Sequence, residues 1–140
     1  MGAHQSSLET SASAESVWKI WSNTSSWGTW NPDVAGVDLD GPFAVGTTGL
    51  MRMKSGRQHR IHIEEIEPGQ MFRLEAAAMP GHPFAFQCEV EPSGSGSRIS
   101  QSVTVRGPLA ALLSPMMGPS IAKGFGPILQ ALSKKAESGS

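Results

Sequence analysis

A chain of 140 residues, net charge −1 and only 16% charged residues has the size and polarity of one ordinary domain. It is long enough to bury about two-thirds of its unfolded surface. Near-neutral charge removes the electrostatic case for nucleic acid, and the low charge argues against disorder. No apolar run reaches the ~18 residues of a membrane span, the polar start resembles no signal peptide, and a single cysteine, Cys88, excludes an internal disulfide. The expectation is a cytoplasmic protein without a stable membrane anchor, a monomer or homodimer.

The first element is a short strand, where Ser6, Leu8, Thr10 and Ala12 alternate onto one side. Ser13 then offers an N-cap and Glu15 suits the positive end of a helix. Val17, Ile20 and Trp21 form one helical face. The polar run Ser22–Ser26 ends that helix through competing local hydrogen bonds. Trp27 and Trp30 therefore fall in a loop, and Asn31 is held out of the helical region by Pro32.

From Val34 to Arg106 the period is two. Met51 and Met53 alternate with Arg52 and Lys54 before the Ser55-Gly56 turn. His59, Ile61 and Ile63 share a face opposite Arg60, His62 and Glu64. Ile66 breaks this register by one, which predicts a bulge near Glu64-Glu65. After Pro68-Gly69 come Phe72, Leu74, Ala76 and Ala78, then Phe84, Phe86, Cys88 and Val90, and after a Ser-Gly tip Ile99, Gln101, Val103 and Val105. Short turns between such segments give an antiparallel meander. Its apolar inner face must be covered.

The cover is C-terminal. Leu109–Leu113 reads as a short helical turn stopped by Pro115, with a restart at Pro119. Ile121, Phe125, Ile128, Leu132 and Ala136 then line one stripe of a long amphipathic helix. Gly124, Gly126 and Pro127 inside it predict a kink at 123–127, or a clean break.

This order is a sheet gripping a helix. The stretch Ser11-Ala12-Ser13-Ala14-Glu15-Ser16-Val17-Trp18, followed by Trp27-Gly28-Thr29-Trp30-Asn31-Pro32, resembles the opening of the polyketide cyclase/dehydrase-like family. Ile63-Glu64-Glu65-Ile66-Glu67-Pro68-Gly69 resembles that family's mid-chain turn. The family belongs to the START-like, birch-pollen-allergen-like superfamily, and the resemblance covers about residues 6–137. It implies one α+β helix-grip domain over 1–140: a curved antiparallel sheet of six or seven strands on a long C-terminal helix, with a short helix after the first strand. It also implies a cavity between sheet and helix. Relatives bind lipids, sterols, polyketides or hormones there, and some cyclise or dehydrate polyketide chains. The glycines and proline of the last helix depart from the usual pattern.

Within such a cavity the expected lining is Trp27, Trp30, Met51, Met53, His59, Leu74, Phe86, Gln101, Val103, Met117 and Phe125, apolar walls with a few polar groups. Trp27 is expected at the rim, and Trp30 packed between the first helix and the sheet. His59 and Gln101 are polar on an apolar face. They either sit near strand ends with partners or water, or hydrogen-bond a ligand. His59 could then act as acid or base. Cys88 reads as a small core residue. His59 and His62 lie three apart on a strand and so face opposite sides; with no further ligand spacing, no metal or cofactor is expected. The leading reading is a binder of a hydrophobic small molecule, lipid or polyketide-like. The alternatives are a cyclase/dehydratase on a poly-β-keto chain, using His59 with Gln101 or the Trp30 N–H, and a protein-interaction module of the chaperone-activator type.

Overall fold

Seven strands form a single antiparallel curved sheet in the order β1-β7-β6-β5-β4-β3-β2, in a computed structural model that describes residues 4–77 and 79–139. The strands are β1 (His4–Thr10), β2 (Val34–Leu39), β3 (Thr48–Met53), β4 (Gln58–Glu67), β5 (Met71–Ala76), β6 (Phe84–Ser93) and β7 (Gly96–Val105). Every strand from β2 onward pairs with its successor, because the connections contain turn residues. Gly56 and Gly94 take positive φ at two of the hairpin tips, a conformation that costs glycine little. Ala78, expected as a further inward residue after Ala76, lies outside the described residues.

Helix α1 (Ala14–Ser22) follows β1, and the Ser13 Oγ accepts the Ser16 N–H as its cap. Val17 and Trp21 are its buried side. The segment expected to be a loop is more ordered. A 3₁₀ turn at Thr24–Ser26 leads into one helical turn, α2 (Trp27–Trp30), which ends at Asn31. The Asn31 Oδ1 accepts the Asp33 N–H, so the side chain completes the turn that Pro32 begins.

Two bulges shape the sheet. One falls between Ile63 and Glu65, where the register slips by one residue, and it returns Ile66 to the inner face. The other, between Val34 and Gly36, buries both Val34 and Val37 although they are three apart.

The C-terminal helix is bent into two pieces, α3 (Ala110–Lys123) and α4 (Phe125–Gly139). Proline does not stop the first piece as expected: α3 runs through both Pro115 and Pro119. The two prolines lie four apart and both are exposed. The carbonyls they deprive of partners, on Ala111 and Pro115, are on exposed residues and can turn to water. The break comes instead at Gly124, within the predicted interval. Pro127 then sits in the first turn of α4, where no intrahelical acceptor is lost.

Inward polar residues of β1 hold both helices. His4 Nε2 lies 3.2 Å from Ser114 Oγ, and Ser6 Oγ donates to the Ala122 carbonyl. Ser133 Oγ donates to Thr10 Oγ1, which with Ser11 donates to the Glu137 carboxylate. The core has two parts. One joins α1, α4 and most of the sheet, and the other joins α3, the start of α4 and the ends of β6 and β7. No helix among the described residues is long and apolar enough to cross a membrane.

Candidate functional site

Between the concave sheet face, α2 and the α3–α4 bend lies a cavity of about 440 Å³. That is within the ~300–1,000 Å³ of small-molecule sites. The sheet supplies Met51 and Met53 from β3, Phe72 and Leu74 from β5, Phe86 and Cys88 from β6, and Gln101 from β7. Trp27, Asn31, Asp33 and Val34 form one side, and Ser120, Ile121, Gly124, Phe125 and Ile128 the other. Asp33, Ser120 and Gly124 are exposed and mark the mouth.

The strand pairing explains why the sheet residues converge. Phe86 stands opposite Leu74 on β5, and Cys88 opposite Gln101 on β7. Residues directly opposite share a face. Among the described residues nothing hydrogen-bonds the Gln101 side-chain amide, so a donor and an acceptor stand free on an otherwise apolar wall. Burial pushes the Cys88 thiol well above the ordinary thiol range, so it stays protonated and unreactive.

Of the residues named from the sequence, Trp27, Met51, Met53, Leu74, Phe86, Gln101 and Phe125 line this one cavity. Trp27 is not a rim residue, however. It is only 6% exposed, and its Nε1 donates to the Trp21 carbonyl at 3.1 Å, which fixes the ring as part of the wall. Trp30, Val103, His59 and Met117 are placed elsewhere. Trp30 packs against both parts of the core, and its Nε1 is buried without a partner among the described residues. Val103 is fully buried beneath the helices, and Met117 packs on the same apolar cluster from α3.

His59 faces the concave side opposite Met51, but pairing with β5 ends at Ile61–Ala76. His59 therefore lies past that end, at the rim of the sheet. Burial, and then the charge of Arg57, holds its imidazole below the ordinary value. It is a neutral side chain at neutral pH, outside the cavity lining.

The sequence reading left out Phe72, Cys88, Ile121 and Ile128 as lining, although alternation or helical spacing put each on the correct face. Asn31, Asp33, Ser120 and Gly124 carry no sequence signal for a cavity. They reach it through the α2 turn and the helix bend.

The convex face carries a cluster that strand-wise spacing does not reveal. Ligand atoms of His62, Glu64 and Glu75 lie within 4.8 Å of one another. Arg106 donates to Glu64 at 2.5 Å and to Glu75 at 2.7 Å, and Arg73 donates to Glu64 and Glu65. The bulge makes this possible, since it presents two successive acids to one guanidinium. Arg106, and then Arg73 against the opposing effect of burial, hold the Glu64 carboxyl below its ordinary value. A lowered carboxyl pKa gives stability that is complete above the unfolded value and is lost as pH falls through the folded one. Arg106→Gln should therefore cost about 1 kcal/mol at neutral pH, allowing for solvent screening. In urea melts, the gap between variant and parent should close below the ordinary glutamate range. A gap that persists unchanged at about pH 3 would contradict this assignment.

A family model described as polyketide cyclase/dehydrase and lipid transport matches residues 2–137. A comparison with curated proteins finds no match. Similar solved structures include Ara h 8.0201, with 14% identity, 98% of each chain covered and a TM-score of 0.77. The protein XoxI from Bacillus cereus has 17% identity, covers 98% of this chain and 96% of its own, and has a TM-score of 0.78. The di-domain ARO/CYC StfQ from the steffimycin biosynthetic pathway has 12% identity and a TM-score of 0.77, with 97% of this chain matching 50% of that one. At these identities the likeness is one of fold, and it is the helix-grip fold.

Proposed function

The chain belongs to the polyketide cyclase/dehydrase and lipid transport family, and we propose that it binds a hydrophobic small molecule between its sheet and the α3–α4 bend. One observation carries this reading: an apolar-walled cavity of about 440 Å³ whose lining includes Gln101, its amide unbonded among the described residues. Filling it should separate binding from folding. Leu74→Trp is expected to keep the fold by circular dichroism but to lose, by at least tenfold, affinity for a fluorescent apolar probe such as N-phenyl-1-naphthylamine. Native mass spectrometry of the purified parent should show a co-purified small molecule that the variant lacks. Unchanged probe binding by a folded Leu74→Trp protein would refute the reading.

The cyclase/dehydratase alternative needs a group that moves protons at the substrate. His59, its candidate, is outside the lining, and among the described residues the lining holds no histidine; its one carboxyl, Asp33, is exposed at the mouth rather than on the sheet wall with Gln101. Gln101 can orient a carbonyl but cannot exchange a proton with it at neutral pH. Binding is therefore preferred to turnover. The interaction-module alternative calls for an exposed apolar patch and a filled interior. Leu109, Leu112 and Met116 on α3 supply a patch, but the interior is open. A single buried thiol fits a cytoplasmic setting, and we place the protein there, as a monomer or homodimer without nucleic acid.

A further inference from the structure

We propose that the cavity selects an uncharged amphiphile, a ketone or alcohol with its oxygen at Gln101, and rejects carboxylates through Asp33 at its mouth. This rests on the reading of the cavity as a ligand site.

Among the described residues no lysine, arginine or histidine lines the cavity, and the ionisable groups of the lining are the protonated Cys88 and Asp33. Asp33 is exposed and forms no ion pair with any described residue. A fatty-acid-type ligand then has no favourable orientation. Entering head first, it buries a carboxylate among Phe72, Leu74, Phe86 and Cys88 with no cation to meet it, which is heavily penalised. Entering tail first, it leaves its carboxylate at the mouth beside the like charge of Asp33. Lys54 and Lys123 adjoin lining residues in the chain, but neither lines the cavity.

An uncharged head group avoids both penalties. The Gln101 amide offers N–H donors to a carbonyl, and a carbonyl oxygen besides to a hydroxyl. Its place on β7 is fixed by pairing to Cys88 on one side and Ser6 on the other. Asp33 is fixed in turn by its backbone: its N–H is held by Asn31 and its carbonyl by the Lys54 N–H at 2.9 Å. Gln101 is thus a neutral, half-buried polar group on the sheet wall, and Asp33 a carboxyl at the exposed rim.

The test uses the full chain loaded with N-phenyl-1-naphthylamine and eleven-carbon competitors matched in length: a methyl ketone, a carboxylate and a primary amine, each below its micellar concentration at about pH 8. The ketone is expected to displace the probe at a concentration at least roughly tenfold below that of the carboxylate. Asp33→Asn should improve the carboxylate about threefold or more relative to the ketone. Gln101→Met, close in shape, should weaken the ketone by roughly five- to tenfold while an eleven-carbon alkene is unaffected. Equal displacement by ketone and carboxylate, an amine stronger than the ketone, or an Asp33→Asn protein identical to the parent would each overturn the proposal while leaving a binding cavity in place. Failure of the probe to bind the parent at all would remove the cavity reading, and this inference with it.

Discussion

Phe72→Ala is expected to lower the unfolding free energy by about 3–5 kcal/mol, the largest loss from any single substitution considered. The ring is 1% exposed and is where the aromatic residues of the core meet. Its centroid lies 5.5 Å from those of Trp21 and Phe43, 5.8 Å from Trp27 and 6.5 Å from Trp18. The contacts with Trp18, Trp21 and Phe43 are edge-on, the favourable geometry for opposed quadrupoles. Removing the ring deletes apolar burial and every one of these contacts at once. It also opens a space that joins the cavity, because Phe72 is part of its wall. Thermal melting should fall by roughly 10–20 °C for a domain of this size. A loss below about 1 kcal/mol in urea titration would show that the surrounding tryptophans repack over the gap. Phe72→Leu, which keeps most of the volume, should cost less than half as much.

Gly28→Ala should cost about 1–3 kcal/mol and, unlike the core truncation, should act through a backbone collision. A Cβ at Gly28 would run into the Ala35 carbonyl at the bulged start of β2. The obstacle is main chain and cannot rotate away, so α2 must lift from β2. Trp27 and Asn31 flank that glycine on one short turn and both line the cavity. Probe affinity should therefore fall along with stability. A loss of stability with binding intact would show that the turn moves as a unit without disturbing the wall. Thr29→Ala, one residue on and exposed, is the control and should lie within about 0.5 kcal/mol of the parent.

The sequence reading anticipated the order of elements because each boundary has a local cause. Ser13 caps, Gly56 and Gly94 turn, and the slip at Ile66 announces a bulge that pairing places at Glu64. It failed at Pro115 and Pro119. A helix rule counts the bond a proline removes, but not whether water can reach the abandoned carbonyl. The site was half legible for a similar reason. Alternation tells which face a side chain takes, but not what stands in front of it. Gln101 and Val103 are two residues apart on one strand and one face, yet one borders the cavity while the other is sealed under the helices. His59 shares the concave face with Leu74, but only the length of β5 decides that it stands at the edge. The Arg106 pairs with Glu75 and Glu64 join residues 31 and 42 positions apart, and no short-range pattern contains them.

The break at Gly124 divides the work of the C-terminal helix unevenly. α4 buries Phe125, Ile128, Leu129, Leu132 and Ala136, whereas α3 buries only Ser114, Gly118 and Ala122 and gives up two helical hydrogen bonds to its prolines. The segment bordering the mouth, with Ser120 and Ile121, thus belongs to the piece that buries fewer large apolar side chains. Were this end of α3 to lift, the large apolar contacts of α4 would stay in place. Truncations of buried side chains are therefore expected to cost more stability in α4 than in α3, on opposite sides of one glycine.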